Sequence, residues 1–172
     1  WIDGREFDFL NHLDLDAAID MIARLHNAAE GYMPAACPPD RFFYGKWPEC
    51  FRRRIDEMEL IKERVLSKAE KSDIDGIYLD YVNMCIRDGE EALRLLHETD
   101  YEELSAESER KRSFIHHDYA YHNILHAFDG RTYIVDFDYC IGDIRIHDIG
   151  SLIIRDMKKS NWDIERALNI LE

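Results

Sequence analysis

Apolar residues recur every three or four positions over most of this chain. The pattern is clearest in segments 19–26, 51–69, 78–96 and 149–157, and it places apolar side chains on one face of a helix. We expect the first helix to be capped by Asp14 or Asp16 and to stop at Gly31. Further helices are expected over about 51–72, 75–97, 149–157 and 163–171. Segment 101–112, polar and acidic, is interpreted as a linker or a frayed helix.

The pattern changes at two places between these helices. All four prolines fall within 34–48, which predicts an irregular stretch there. From Ser113 the helical period is lost, and residues 113–116 are a strand candidate. Apolar runs at 124–127 and 132–135 flank Asp129 and Gly130, a dipeptide that favours a hairpin turn. The order of helices, hairpin and helices predicts an α+β fold that is mainly helical.

Composition excludes several classes of protein. A net charge of −14 is typical neither of a nucleic-acid-binding surface nor of a basic membrane anchor. It permits a cationic substrate, although solubility is the favoured explanation of this charge. No apolar run approaches the ~20 residues that span a bilayer. The four cysteines are scattered without a C-x-x-C pair, so we expect thiols in a reducing, cytoplasmic setting. They are Cys37, Cys50, Cys85 and Cys140.

Candidate chemistry is concentrated between His116 and Asp138, which follow the pattern H-x-D-x-x-x-x-N, hairpin, D-x-D. Phosphoryl transfer needs a carboxylate that accepts the proton of the attacking hydroxyl, and hard oxygen ligands for Mg²⁺. Asp118 can supply the carboxylate. Asn123 and Asp136 can supply the oxygen ligands, because a hairpin returns the end of its second strand to the start of its first.

This segment and its surroundings resemble the aminoglycoside phosphotransferase/choline kinase superfamily. The similarity covers the 116–123 loop, the hairpin, residues 134–138, Gly142-Asp143 and the stretch that starts at Asp148. Within the superfamily, the chain is most similar to the spore coat protein S family of kinase-like proteins. That likeness rests on residues 1–6, on Leu25-His26-Asn27-Ala28 with 30–32, and on the loop itself.

The resemblance implies the C-terminal lobe of a protein-kinase-like fold, with a small antiparallel hairpin that carries the catalytic site. Its parts would be a hinge entry at 1–6, a helical segment at 14–112, the catalytic loop and metal-binding hairpin at 113–138, and following helices at 139–172. By position, Asp118 is the expected base and Asn123 and Asp136 the metal ligands. Nucleotide contacts are expected from Trp1, Ile2, Leu125 and Ile134, and support of the site from His116, Asp138 and Asp148.

The resemblance also implies cofactors and partners. We expect Mg²⁺ and ATP or GTP, a small-molecule hydroxyl acceptor that the net charge allows to be cationic, and other spore-coat proteins as partners. The expected location is the cytoplasm or the spore coat. Three departures from the superfamily pattern leave the acceptor open: Ala120 replaces a frequent histidine, Tyr121-His122 precede the asparagine, and Ile144 replaces a proline.

Two observations leave the activity itself open. The chain starts at Trp1 and contains no Gly-rich loop or strand lysine of the kind that the superfamily carries in its small lobe. We therefore expect the whole protein to be a kinase and this chain alone to be inactive. A non-catalytic spore-coat component or pseudokinase of the same fold is the alternative. A metal-dependent hydrolase using His116, His117, Asp118 and Asp136 is disfavoured, because that class carries its His-Asp pair on helices.

Overall fold

The computed structural model of the chain describes residues 1–32 and 38–171. The chain divides into two compact units, one formed by residues 1–44 and 107–172 and the other by residues 45–106. The expected irregular stretch around the prolines lies partly outside the described residues, as do Pro34 and Cys37. Among the described residues, no helix is both long and apolar enough to cross a membrane.

Helices account for most of the described chain, which confirms the mainly helical prediction. In chain order they are α1 (His12–Ala28), α2 (Trp47–Leu66), α3 (Asp73–Glu98), α4 (Tyr101–Arg110), α5 (Ile146–Lys159) and α6 (Ile164–Leu171). Short 3-10 helices lie at Pro39–Arg41, Tyr121–Asn123 and Phe137–Tyr139. The acidic segment that begins at Tyr101 is thus a regular helix rather than a linker.

A three-stranded antiparallel sheet lies in the first unit. Its strands are β1 (Gly4–Glu6), β2 (Ile124–Ala127) and β3 (Thr132–Ile134), in the order β1-β2-β3. The predicted hairpin is confirmed, with Gly130 at φ 83° in its turn. Strand β1 was not predicted. It lies so close to β2 that a Cβ on Gly4 would lie 2.5 Å from the carbonyl oxygen of His126, so glycine alone fits there.

Two local predictions were wrong. The side chain of Asn11, and not Asp14 or Asp16, accepts a hydrogen bond from the amide of Leu13 and caps α1. Segment 113–116 is not a strand, since its ladder contact is an isolated bridge between Ile115 and Ile141. Both errors have one cause. A short run of residues does not determine which hydrogen-bond partners it will have, because those partners depend on the rest of the fold.

The core of the first unit lies between the sheet, α1, α5 and α6. Its buried members are Phe7, Phe9, Leu15, Ala18, Ile22, Tyr119, Ile124, Leu152 and Ile170. Tyr119 is fully buried and its hydroxyl donates to the carbonyl of Ala18 at 2.7 Å, which satisfies its one polar group. Burial raises the pKa of Tyr119. This tyrosine fixes the middle of the 116–123 loop to the core.

The second unit is built on the packing of α2 against α3. Ile55 and Val65 of α2 are buried, as are Val82 and Leu93 of α3. Gly89 permits the close approach of the two helices, since a Cβ there would lie 3.0 Å from the side chain of Ile55.

The start of α3 is fixed by a reciprocal capping box. The side chain of Ser72 accepts from the amide of Asp75, and the Asp75 carboxylate accepts from the amide of Ser72. Lys68 donates to the same carboxylate at 2.6 Å, and this contact together with those of Ser72 lowers the pKa of Asp75 to about 2. The contacts among Lys68, Ser72 and Asp75 therefore fix the start of α3.

Candidate functional site

The 116–123 loop is held by one buried carboxylate. Asp148, in the first turn of α5, accepts hydrogen bonds from the backbone amides of His116 at 2.9 Å and His117 at 2.8 Å. The ring of His26 lies 2.9 Å from the same carboxylate and must donate to it, because a carboxylate only accepts. Asp148 is fully buried. Three segments, α1, the loop and α5, are thereby joined at one side chain.

His116 links the loop to the end of β3. Its Nε2 lies 2.9 Å from the carbonyl oxygen of Val135, and its ring centroid lies 4.9 Å from that of Phe137. The ring is fully buried, and within the described chain its Nδ1 is the buried side-chain polar atom without a hydrogen-bond partner. His116 therefore contacts the residues on both sides of Asp136, the backbone of Val135 and the ring of Phe137.

Asp118 and Asn123 are in direct contact. The Asn123 side-chain amide donates to the Asp118 carbonyl at 2.9 Å and lies 3.3 Å from its Oδ2. The Asn123 carbonyl accepts from the amide of Val135 at 3.0 Å, which continues the β2–β3 ladder by one pair. Because Asp136 directly follows Val135, the structure brings the three candidate residues to the same end of the hairpin.

Asp136 directly follows Val135, the last residue of the continued β2–β3 ladder. Its backbone is left-handed, with φ 64° and ψ 62°, a conformation that aspartate tolerates better than most residues. His117, one residue before Asp118, is also left-handed at φ 69°. Such strain at both ends of a small cluster is a frequent sign of a functional site. Within the described part of the chain, the exposed carboxylate of Asp136 forms neither a hydrogen bond nor an ion pair.

Arg155 completes the cluster and was not predicted. Its Nη2 donates to Oδ1 of Asp118 at 2.6 Å, and its Nε lies 3.3 Å from the hydroxyl of Ser151. Residues 148, 151 and 155 lie on one face of α5. Once Asp148 was expected to contact the loop, the spacing of three and four residues could have indicated that Arg155 faces the loop as well. One carboxylate oxygen of Asp118 therefore contacts the side-chain amide of Asn123, and the other contacts the guanidinium of Arg155.

The register corrects the predicted apolar floor for the nucleotide base. Ile134 pairs with Ile124, whereas Leu125 pairs with Tyr133. Side chains alternate between the faces of a sheet, so Leu125 and Ile134 lie on opposite faces and cannot line one floor. Ile134 packs against the core. The half-buried Val135, opposite Asn123 in the continued ladder, shares the face of Leu125.

The other predicted residues lie outside this cluster of contacts. Trp1 is fully exposed and Ile2 is half-buried, and both precede β1. Asp138 is exposed, and its carbonyl, rather than its carboxylate, accepts from Arg41 at 2.6 Å. Their roles at the site remain predictions.

The donor set around Asp136 suits a hard cation such as Mg²⁺. In residues 1–32 and 38–171, no group of three or more His, Cys, Asp or Glu is arranged to hold a metal ion. Asn123 turns its NH₂ toward Asp118, which directs its side-chain oxygen elsewhere, and the Asp136 carboxylate has no described partner. Two oxygen ligands, with the rest of the shell from phosphates and water, is the usual arrangement for Mg²⁺.

The helices and the small antiparallel sheet form a kinase-like fold. The chain belongs to the phosphotransferase enzyme family, whose model matches residues 1–170.

Two known proteins show the same likeness. Spore coat protein S of Bacillus subtilis (strain 168) is 21% identical over 172 residues, which is 99% of this chain and 48% of that protein. The crystal structure of an aminoglycoside phosphotransferase from Alicyclobacillus acidocaldarius matches 95% of this chain and 47% of that one, with a TM-score of 0.73 and 21% identity. The chain thus spans about half the length of both, and the structural match shows the fold.

Proposed function

We propose that the whole protein containing this chain transfers the terminal phosphoryl group of ATP, or of GTP, to a hydroxyl of a small molecule. The observation that carries the proposal is the contact of Asn123 with Asp118, combined with the ladder bond between Asn123 and Val135, the residue before Asp136. A carboxylate for the hydroxyl and two oxygen ligands for a cation are the parts that phosphoryl transfer requires.

In this proposal Asp118 is the general base. It accepts the proton of the acceptor hydroxyl while the hydroxyl oxygen forms a bond to the γ-phosphorus. The bond between the γ-phosphorus and the β–γ bridging oxygen breaks, and the nucleoside diphosphate leaves with that electron pair. Asn123 holds the Asp118 backbone, and Asp148 holds the two residues before it, so the carboxylate is positioned before the acceptor arrives.

Asn123 and Asp136 would hold Mg²⁺, which when bound would neutralise negative charge on the phosphates of the nucleotide. The left-handed backbone of Asp136 turns the chain directly after the hairpin, and the exposed carboxylate stays available. The face that carries Leu125 and Val135 would take the nucleotide base, with Trp1 and Ile2 at the hinge side.

We infer the biological setting from a second observation. The similarity to a spore coat protein extends over 99% of the chain. On this basis we propose a role for the whole protein in sporulation, in the cytoplasm or the spore coat, with other spore-coat proteins as partners. A non-catalytic coat component of this fold is the competing function, and the experiment below distinguishes the two.

The test is the binding of Mg-ATP to the whole protein by titration calorimetry. Asp136→Ala removes the best carboxylate ligand of the cation, so we expect Mg-ATP affinity to fall by roughly tenfold or more, since one charge-assisted contact corresponds to about that factor. Asp16→Ala is the matched control, because Asp16 is an exposed aspartate on α1 with no described partner.

Equal Mg-ATP affinity in the wild type, Asp136→Ala and the control would contradict the metal assignment. Absence of Mg-ATP binding in the wild-type whole protein would favour the non-catalytic coat component instead.

A further inference from the structure

Two cations of α5 lie along the 116–123 loop. Arg155 contacts Asp118 through Nη2, as described above, and Lys159 lies one helical turn further along the same face of α5. The ammonium group of Lys159 lies 3.3 Å from the ring centroid of Tyr121, a cation–π contact. Arg155 therefore contacts the proposed base itself, and Lys159 contacts the loop three residues further along.

The two cations are incompletely neutralised. Arg155 uses Nη2 for Asp118 and Nε for Ser151, while its Nη1 has no hydrogen-bond partner among the described residues. Lys159 is exposed and forms no ion pair with any carboxylate that the structure describes. In a chain with 36 acidic and 22 basic residues, it is unexpected that Lys159 pairs with no described carboxylate and that Arg155 uses only part of its guanidinium for Asp118.

The guanidinium of Arg155 has one NH₂ group on Asp118 and one without a described partner. Each NH₂ group has its own N–H donors, so Nη1 can bind a second anion while Nη2 remains on the Asp118 carboxylate. An acceptor with an anionic group on Nη1 would present a nearby hydroxyl to Asp118. Lys159, held against Tyr121, would add a second positive charge for the same group.

We propose that the acceptor carries an anionic group, a carboxylate or a phosphate, which Arg155 and Lys159 bind beside Asp118. This inference rests on the proposed phosphotransfer. The net charge of the chain permits a cationic acceptor, but the local charges at the loop favour an anionic one. In this role Arg155 and Lys159 are specificity-determining residues, while the proton of the hydroxyl still goes to Asp118.

The test compares acceptors that share one sugar ring and differ in charge: glucuronate, glucose 6-phosphate, glucose and glucosamine. The whole protein is supplied with Mg-ATP, and phosphoryl transfer to each compound is measured as kcat/KM. We expect at least one of the two anionic sugars to exceed glucose by roughly tenfold, and glucosamine to be the poorest acceptor. The two anions separate a carboxylate site from a phosphate site.

Lys159→Glu reverses one of the two charges without touching Asp118. We expect this variant to raise KM for the preferred anionic sugar by roughly tenfold with little change in kcat. Lys158→Glu is the matched control, since it makes the same charge change at the neighbouring exposed position of α5, which has no described contact with the loop. This control should retain the wild-type KM for the anionic sugar.

Hydrolysis of Mg-ATP by water separates the two proposals. If the whole protein hydrolyses Mg-ATP but uses glucose or glucosamine as readily as the anionic sugars, the anionic-acceptor proposal alone is overturned. Equal effects of Lys159→Glu and Lys158→Glu on KM would also overturn it. If the protein neither binds nor hydrolyses Mg-ATP, both proposals fail together.

Discussion

Asp148 receives hydrogen bonds from two backbone amides of the loop and from the ring of His26. This one buried carboxylate thus binds two separate parts of the chain, the loop and α1. The geometry of Asp118 therefore depends on a residue thirty positions further along the sequence. The family resemblance predicted a supporting role for Asp148, but the donors that it binds are visible only in the fold.

Asp148→Asn should destabilise the protein strongly. The amide NH₂ faces donors that need an acceptor, so at least one loop amide is left buried and unpaired. We expect a loss of about 2–4 kcal/mol in the free energy of unfolding, measured by urea denaturation. Asp16→Asn, at an exposed position of α1, should change it by less than about 0.5 kcal/mol. A loss for Asp148→Asn as small as that of the control would contradict the anchoring role.

An ion pair joins two elements of the first unit, β1 and α1. Arg5 donates through Nη1 to Oδ2 of Asp14 at 2.6 Å and through Nη2 to Oδ1 at 2.8 Å. The amide of Asp8 donates to the same carboxylate at 2.9 Å. These hydrogen bonds, that of Arg5 above all, lower the pKa of Asp14. The residue expected to cap α1 thus fixes the entry of the chain into the helix by another route.

Asp14→Asn should reduce stability in a pH-dependent way. Because folding lowers the pKa of Asp14, its contribution is complete above the ordinary carboxyl pKa of about 4 and is lost as the pH falls through the lowered value. We expect a loss of about 1–3 kcal/mol at pH 7, less than for a fully buried pair because Arg5 is half-exposed. Urea denaturation from pH 7 to pH 2 should show the difference from wild type shrinking in acid.

Asp20→Asn provides the control for this pH series. Asp20 pairs with Arg24 on the exposed face of α1, and such pairs contribute little. A difference between wild type and Asp14→Asn that stays constant down to pH 2 would contradict the pKa argument.

The elements also show what the sequence could predict. Helices with long apolar periods and a hairpin with an Asp-Gly turn are fixed by local patterns, and the structure has them. Strand β1 is three residues long and exists only through pairing with β2 about 120 positions away, so no local pattern marks it. The prediction that Leu125 and Ile134 line one nucleotide floor was wrong because register, which local spacing does not give, decides the face of each strand residue.

At the scale of the whole molecule, the chain combines a strongly negative net charge with a local group of cations at the proposed base. The charge of −14 is spread over exposed helix faces, and many of its carboxylates pair with arginines within one or two turns, as Arg94 does with Glu91 and Glu98. Lys159 and the free edge of Arg155 depart from that pattern. Specificity for the acceptor is therefore a local property of α5 and not of the average charge.

The central claim is that Asp118 is the base of a phosphotransferase, and turnover of Mg-ATP by the whole protein tests it most directly. Asp118→Asn keeps the size of the side chain but removes the proton acceptor. We expect release of ADP to fall by about 100-fold or more, while the affinity for Mg-ATP measured by calorimetry stays within about twofold. An Asp118→Asn variant that binds Mg-ATP normally and turns it over at the wild-type rate would contradict the account.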